Sequence, residues 1–175
     1  MGQTAFTPVS MEQAKALRLG GDLGLRRGCA VTPGLLRALG PQTNREEAEF
    51  AALSNAAVLA LLVSSELGRV VLATDVESAQ ITATVDALGE IMISSLSWGQ
   101  VRALFVDEPE ATEAVRKARR AAAEGAQELT LAAALGLPEV GELLDGFDLL
   151  WFAPEELDHL DQTGDPTDIA ADRAD

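Results

Sequence analysis

Apolar and polar positions alternate along this chain in short blocks, some with the period of a strand and some with that of a helix, and the two kinds trade places down its length. Ala5, Phe6 and Val9 around Pro8 predict a first strand, and Ser10 then caps a helix over residues 11–19 that Gly20 and Gly21 stop. Residues 28–32 form a second strand, ended by Pro33 before a turn into residues 35–39. The longest periodic block covers residues 45–67. Asn44 is its N-cap, Glu46 and Glu47 occupy the first turn where the helix dipole favours acids, and Gly68 follows its end. Phe50, Leu53, Ala57 and Leu61 recur at helical spacing as one core-facing stripe. Val58, Leu59, Leu62 and Val63 widen that stripe until the second half of the helix is apolar nearly all round.

Beyond this helix the period shortens again. Residues 69–74 are a β-branched run suited to a central strand, whereas residues 80–85 set Ile81, Ala83 and Val85 against polar partners and predict a half-exposed one. Residues 91–96 and 101–106 flank Ser97, Trp98 and Gly99 at a spacing that permits a hairpin. Pro109 opens a helix to about Ala123, acidic at its start (Glu110, Glu113) and basic at its end (Arg116, Lys117, Arg119, Arg120), as the dipole prefers. A further helix is expected over residues 126–135, a last strand over 147–152, and a short helix from Pro154 to Leu160. The pattern predicts an α/β or α+β fold: a single globular domain over residues 1–160, with a mixed sheet of about five or six strands covered by helices. Residues 161–175, rich in Gly, Pro and Asp, read as a disordered acidic tail.

Charge sharpens the picture. The net charge is -15, and it is regional: residues 139–175 hold twelve acids against the single base Arg173. Such a surface repels a phosphate backbone, which argues against nucleic acid as a partner. The one cysteine allows no internal disulfide, and the first residues carry neither the basic start nor the apolar run of a secretory signal, so the expected location is cytoplasmic. The longest apolar stretch, residues 51–63, is broken by Ser54 and Asn55 and falls short of the roughly 20 residues a membrane span needs.

Catalytic chemistry has few carriers here: one His, one Cys and no Tyr. Arg26 and Arg27 precede Cys29 and could activate its thiol, although a small residue in a strand is more often simply buried. His159 could act as a base with Asp158 and Asp161 beside it, but it sits near the end of the last helix, where a surface histidine is the plainer reading. Asp107, Glu108, Glu110 and Glu113 cluster at a strand-to-helix junction, which in α/β proteins can face a ligand and otherwise serves to cap a helix. The bases 116–120 could touch phosphate, or form a solvated face. No metal or cofactor is expected, because Gly20 to Gly28 lacks the spacing of a phosphate loop and one His with one Cys cannot build a zinc site. Trp151 and Phe152 point to opposite faces of their strand. Both are expected in the core, while an edge position would expose one ring as a contact surface.

Four stretches in this order, FTPVS (6–10), AVTP (30–33), EFAALSNAA (49–57) and DLLWFAPEEL (148–157), resemble an uncharacterised actinobacterial family of short α/β proteins, a domain of unknown function. The likeness covers roughly residues 3–160. The chain differs in having Ser10 where that family usually has threonine and Phe152 where it usually has tyrosine. The resemblance implies no activity or catalytic residue.

The function these observations favour is that of a non-catalytic cytoplasmic protein working through protein contacts, with itself as a homodimer or with another protein. Val58, Leu62, Trp151 and Phe152 are its candidate interface, because an almost wholly apolar helix in a small domain is most easily covered by a second copy. The alternative is a small-molecule enzyme using the acidic junction at Asp107 and Glu108.

Overall fold

Several helices start where a side chain can satisfy their orphan backbone donors. Ser10 Oγ accepts from Gln13 N at 3.0 Å while Gln13 Oε1 accepts from Ser10 N at 2.9 Å, which fixes the start of α1 (Met11–Arg18). Asn44 and Glu47 make the same reciprocal pair at the start of α3 (Arg45–Val63). Thr32 caps α2 (Pro33–Leu39), with Pro33 at its first position. The computed structural model describes residues 2–125 and 130–160, so the acidic tail expected over residues 161–175 and the first part of the helix expected over 126–135 lie outside the described residues.

Among the described residues the strands form one open sheet of seven, in the order β4-β5-β2-β1-β3-β6-β7. They are β1 (Gly2–Pro8), β2 (Arg26–Ala30), β3 (Val70–Glu77), β4 (Ile81–Val85), β5 (Glu90–Ile93), β6 (Val101–Val106) and β7 (Leu150–Phe152). Every pairing is antiparallel, which corrects the mixed sheet expected from the sequence. The strands joined by α2 and α3 do run parallel, but they flank β1 on its two sides and never touch as a parallel pair. As expected, the run in β3 is internal; β4, expected half-exposed, is mostly exposed because it lies at an edge of the sheet.

Alternation along the strands serves two layers. Phe6 stands opposite both Cys29 and Ala73, facing one side, and Ala5 stands opposite Ala30 and Thr74, facing the other. The first side packs under α3, α4 (Thr112–Gly125), α5 (Leu131–Leu135) and α6 (Pro138–Gly146), and the second packs on α1 and α7 (Leu157–Leu160). Among the described residues, no helix is long and apolar enough to cross a membrane.

Two expected connections are replaced. Residues 91–96 and 101–106 do not form a hairpin: β5 pairs with β4 and β2, and β6 with β3 and β7. The seven residues from Ser94 to Gln100 can reach about 25 Å. Four strand spacings of about 4.8 Å come to about 19 Å, so the link crosses from β5 to β6 over β2, β1 and β3. The hairpin forms instead between β4 and β5, where Gly89 takes a φ of 69° and donates no side chain; a Cβ there would run into the Ala30 carbonyl oxygen. The helix expected over 45–67 ends four residues early at Val63, because Ser64 turns extended and Glu66 swings across to α1. There its carboxylate accepts from Met11 N at 2.9 and 3.0 Å, supplying the negative charge that a helix start favours.

Most of the apolar second half of α3 is covered within one protomer, and only Val63 at its end is exposed. Residues 56–61 are all buried, with the sheet below and α4 and α5 above, and the alanines at 48, 52, 56, 57 and 60 let these neighbours approach closely. Val58, placed in the candidate interface, is a core residue, and Leu62 is half-buried against the same core. The premise that a second copy must cover this helix therefore falls away. α6 went unrecognised in the sequence, although Pro138 at its first position and Val140, Leu143 and Leu144 on one face were its signal.

Candidate functional site

Where the first half of α3 runs beyond the cover of its neighbours, the stripe read as core opens into a cleft. Phe50 is 61% exposed, which corrects its assignment to the core, and it stands with Leu53 and Ala57 along one wall. Leu144, Phe147 and Leu149, from the end of α6 and the segment leading into β7, form the other wall. Ser54, Asp145 and Asp148 supply the polar lining, and the cavity measures ≈ 220 Å³. Only residues 150–152 of the strand expected over 147–152 pair with the sheet, because Phe147 and Leu149 turn onto the helix-side core instead.

Arg69 also lines this cleft. It immediately precedes β3 as Asp107 immediately follows β6, and the pairing of Val70 with Val106 brings the two side by side. Arg69 Nε donates to Asp107 Oδ2 at 2.9 Å and Nη2 to Asp107 Oδ1 at 2.7 Å, a bidentate pair, and the Arg69 backbone N–H donates to Oδ2 at 2.7 Å. The side chains are 1% and 3% exposed. Nη2 also donates to the Phe147 carbonyl at 3.2 Å, tying the pair to the far wall of the cleft. Nη1 has no hydrogen-bond partner among the described residues. Sequence reading placed Asp107 among catalytic candidates and overlooked Arg69. Each sat at the end of a predicted strand, but nothing local connected them.

The acidic junction is thereby dispersed. Asp107 is held by Arg69, Glu108 is half-buried just before the short 3₁₀ turn that leads into α4, Glu110 is exposed, and Glu113 pairs with Arg116. The bases that follow are engaged in turn: Lys117 with Glu142 at 2.6 Å, Arg120 with Glu124 at 2.8 Å, and Arg119 with the Glu66 carbonyl. Burial lowers the Arg119 pKa, opposed by the nearby carboxylates of Asp107 and Glu66. His159 is exposed, and its neighbour Asp158 lies 2.7 Å from Arg18, so one of the two carboxylates proposed to orient the imidazole is engaged elsewhere, while the other, Asp161, lies outside the described residues. The described residues contain no cluster of three or more His, Cys, Asp or Glu able to hold a metal ion.

Cys29 is buried opposite Phe6, and its pKa is pushed up to about 12, by burial first and by the carboxylate of Glu90 second, against the lowering effect of Arg27. Arg27 is occupied by Glu90, to which Nε and Nη2 donate at 3.0 and 2.9 Å. The arginine expected to activate the thiol therefore neutralises a neighbouring acid. Cys29 should resist a disulfide exchange reagent at about pH 8 until the protein unfolds. Because its folded pKa lies above the unfolded value, the unfolded state is the one that loses a proton first. The associated stability is complete below pH 9 and is lost as the pH rises from 9.0 toward about 12. Denaturant titrations across that range should show the loss in the parent and not in Cys29→Ala; equal slopes in both would place the thiol in water.

β7 is an edge strand, and its two rings part ways. Phe152 lies opposite Leu104 and packs half-buried into the core beneath α1 and α7. Trp151 lies opposite Phe105 on the other side and is 61% exposed, so the core reading is corrected for this ring. It shares that side with Leu149, two residues earlier, which places an exposed aromatic next along the chain from the cleft.

No curated protein and no solved structure matches this chain. A family model does, over residues 4–160, so that the match takes in the whole sheet from Thr4, the cleft and the Arg69–Asp107 pair. The chain belongs to DUF6912, a family of unknown function.

Proposed function

We propose that this is a non-catalytic cytoplasmic protein that acts by contact with another protein, and that the cleft floored by Arg69 is where the contact is made. The observation that carries the reading is the state of Asp107. An acid that is 3% exposed and accepts three hydrogen bonds from one arginine is poorly placed to take a substrate proton, whereas the walls beside it are apolar and open. A volume of ≈ 220 Å³ is below the roughly 300 Å³ at which small-molecule sites begin, and favours the reception of a side chain. Phe50 and Trp151 are the exposed aromatic rings at or near this cleft, the residue class in which contact energy concentrates. Self-association remains part of the proposal only through this surface, since most of the apolar second half of α3 is buried and only Val63 at its end is exposed.

Replacing Phe50 with a photo-crosslinking aromatic residue in the native cell tests the reading. The expected result is a discrete protein adduct at position 50 and none at the still more exposed Leu19. Absence of an adduct, together with a metabolite change on gene deletion that Glu108→Gln reproduces, would replace the contact reading with an enzymatic one.

A further inference from the structure

We infer that the partner presents a basic segment, from which one bulky apolar side chain enters the cleft. The inference rests on the contact reading above and adds to it the chemistry of the occupant. Three features of the cleft select that chemistry. Its walls, among them Phe50, Leu53 and Phe147, are apolar, and an aliphatic or aromatic side chain is what they exclude from water. At its floor Arg69 keeps one nitrogen, Nη1, without a hydrogen-bond partner among the described residues, a donor bordering the cleft that an acceptor on the occupant can meet. Asp107 already balances the arginine, and the acceptor need carry no charge: a backbone carbonyl of the entering segment suffices.

The rim sets the sign of the flanking residues. Asp145 and Asp148 are exposed beside the opening, and neither has an ion-pair partner among the described residues. They belong to a stretch, residues 139–160, that holds seven acids and no lysine or arginine. Glu142 and Asp158 are taken by Lys117 and Arg18. The two rim aspartates are therefore open to lysine or arginine flanking the entering side chain, and they repel an acidic segment. An occupant with acids beside its apolar residue, or a free anion drawn to Arg69, meets this rim first.

The test uses the full chain and labelled synthetic peptides with leucine, phenylalanine or alanine at the centre and lysine, glutamine or glutamate on either side, read by fluorescence anisotropy. Lysine-flanked peptides with a leucine or phenylalanine centre should bind at least about tenfold more tightly than glutamate-flanked ones, with the preference shrinking as salt is raised. Asp145→Lys combined with Asp148→Lys, both at exposed positions, should reverse the preference. Phe50→Ala should weaken every apolar-centred peptide by about fivefold or more, and Leu19→Ala should change nothing. Peptides that bind with a Phe50 dependence but without preference for lysine would overturn the basic partner and leave the contact cleft standing. If no peptide shows a Phe50 dependence while the crosslink at position 50 is also missing, the contact reading itself fails. Self-association in sedimentation that Phe50→Ala abolishes would assign the cleft to a second copy and likewise overturn the basic partner.

Discussion

Asp107→Ala should destabilise the protein by about 3–5 kcal/mol, because it strands the Arg69 guanidinium in a site from which water is excluded. The arginine would keep a single side-chain hydrogen bond, to the Phe147 carbonyl, and its own backbone N–H would lose the carboxylate it donates to. Chemical denaturation gives the number directly. The informative comparison is the double variant Arg69→Met with Asp107→Leu, in which both charges leave together. Burying an ion pair costs nearly what the pairing returns, so the double variant should lie within roughly 1 to 2 kcal/mol of the parent and well above the single one. A double variant as unstable as Asp107→Ala would mean that the links to Phe147 and to the β3 backbone hold this corner of the fold, and not the pairing of opposite charges.

The second large effect separates two positions of one helical stripe. Leu61 is 3% exposed in the helix-side core, and Leu61→Ala should cost about 2–5 kcal/mol as a cavity mutant. Phe50 occupies the same face three turns earlier, where the helix has passed beyond its neighbours and borders the cleft. Phe50→Ala should therefore cost less than about 0.5 kcal/mol, the behaviour of a surface position. Thermal unfolding of the two variants decides the point. A loss at Phe50 approaching that at Leu61 would close the cleft into core and remove the surface on which the contact reading stands.

That stripe also marks the reach of a periodic pattern. Its face was legible, since Leu53 and Leu61 do point inward, but periodicity describes one helix and carries no information about where its neighbours stop. The same limit explains the two rings of β7. Alternation separates Trp151 from Phe152 in any strand, while their opposite fates follow from the strand's place at the edge of the sheet.

Acting over three or four residues, the sequence alone determined where several helices begin, through Ser10, Asn44 and the proline at 109, while the starts of α2 at Pro33 and α6 at Pro138 were read only in the structure. It placed the strand segments, the internal character of residues 69–74 and the order of motifs that marks the family. These features depend on local hydrogen bonds and on side-chain period, both written in adjacent positions. Strand pairing is settled by the sheet as a whole: Ile91 and Ile93 could serve a hairpin with β6 or a ladder with β2, and only the second buries both beneath α1 and α7. The candidate site belongs to that second category. Arg69 and Asp107 meet across 38 residues of chain, and the cleft beside them joins α3 to the end of α6, so neither existed until the tertiary structure brought distant, individually unremarkable residues together.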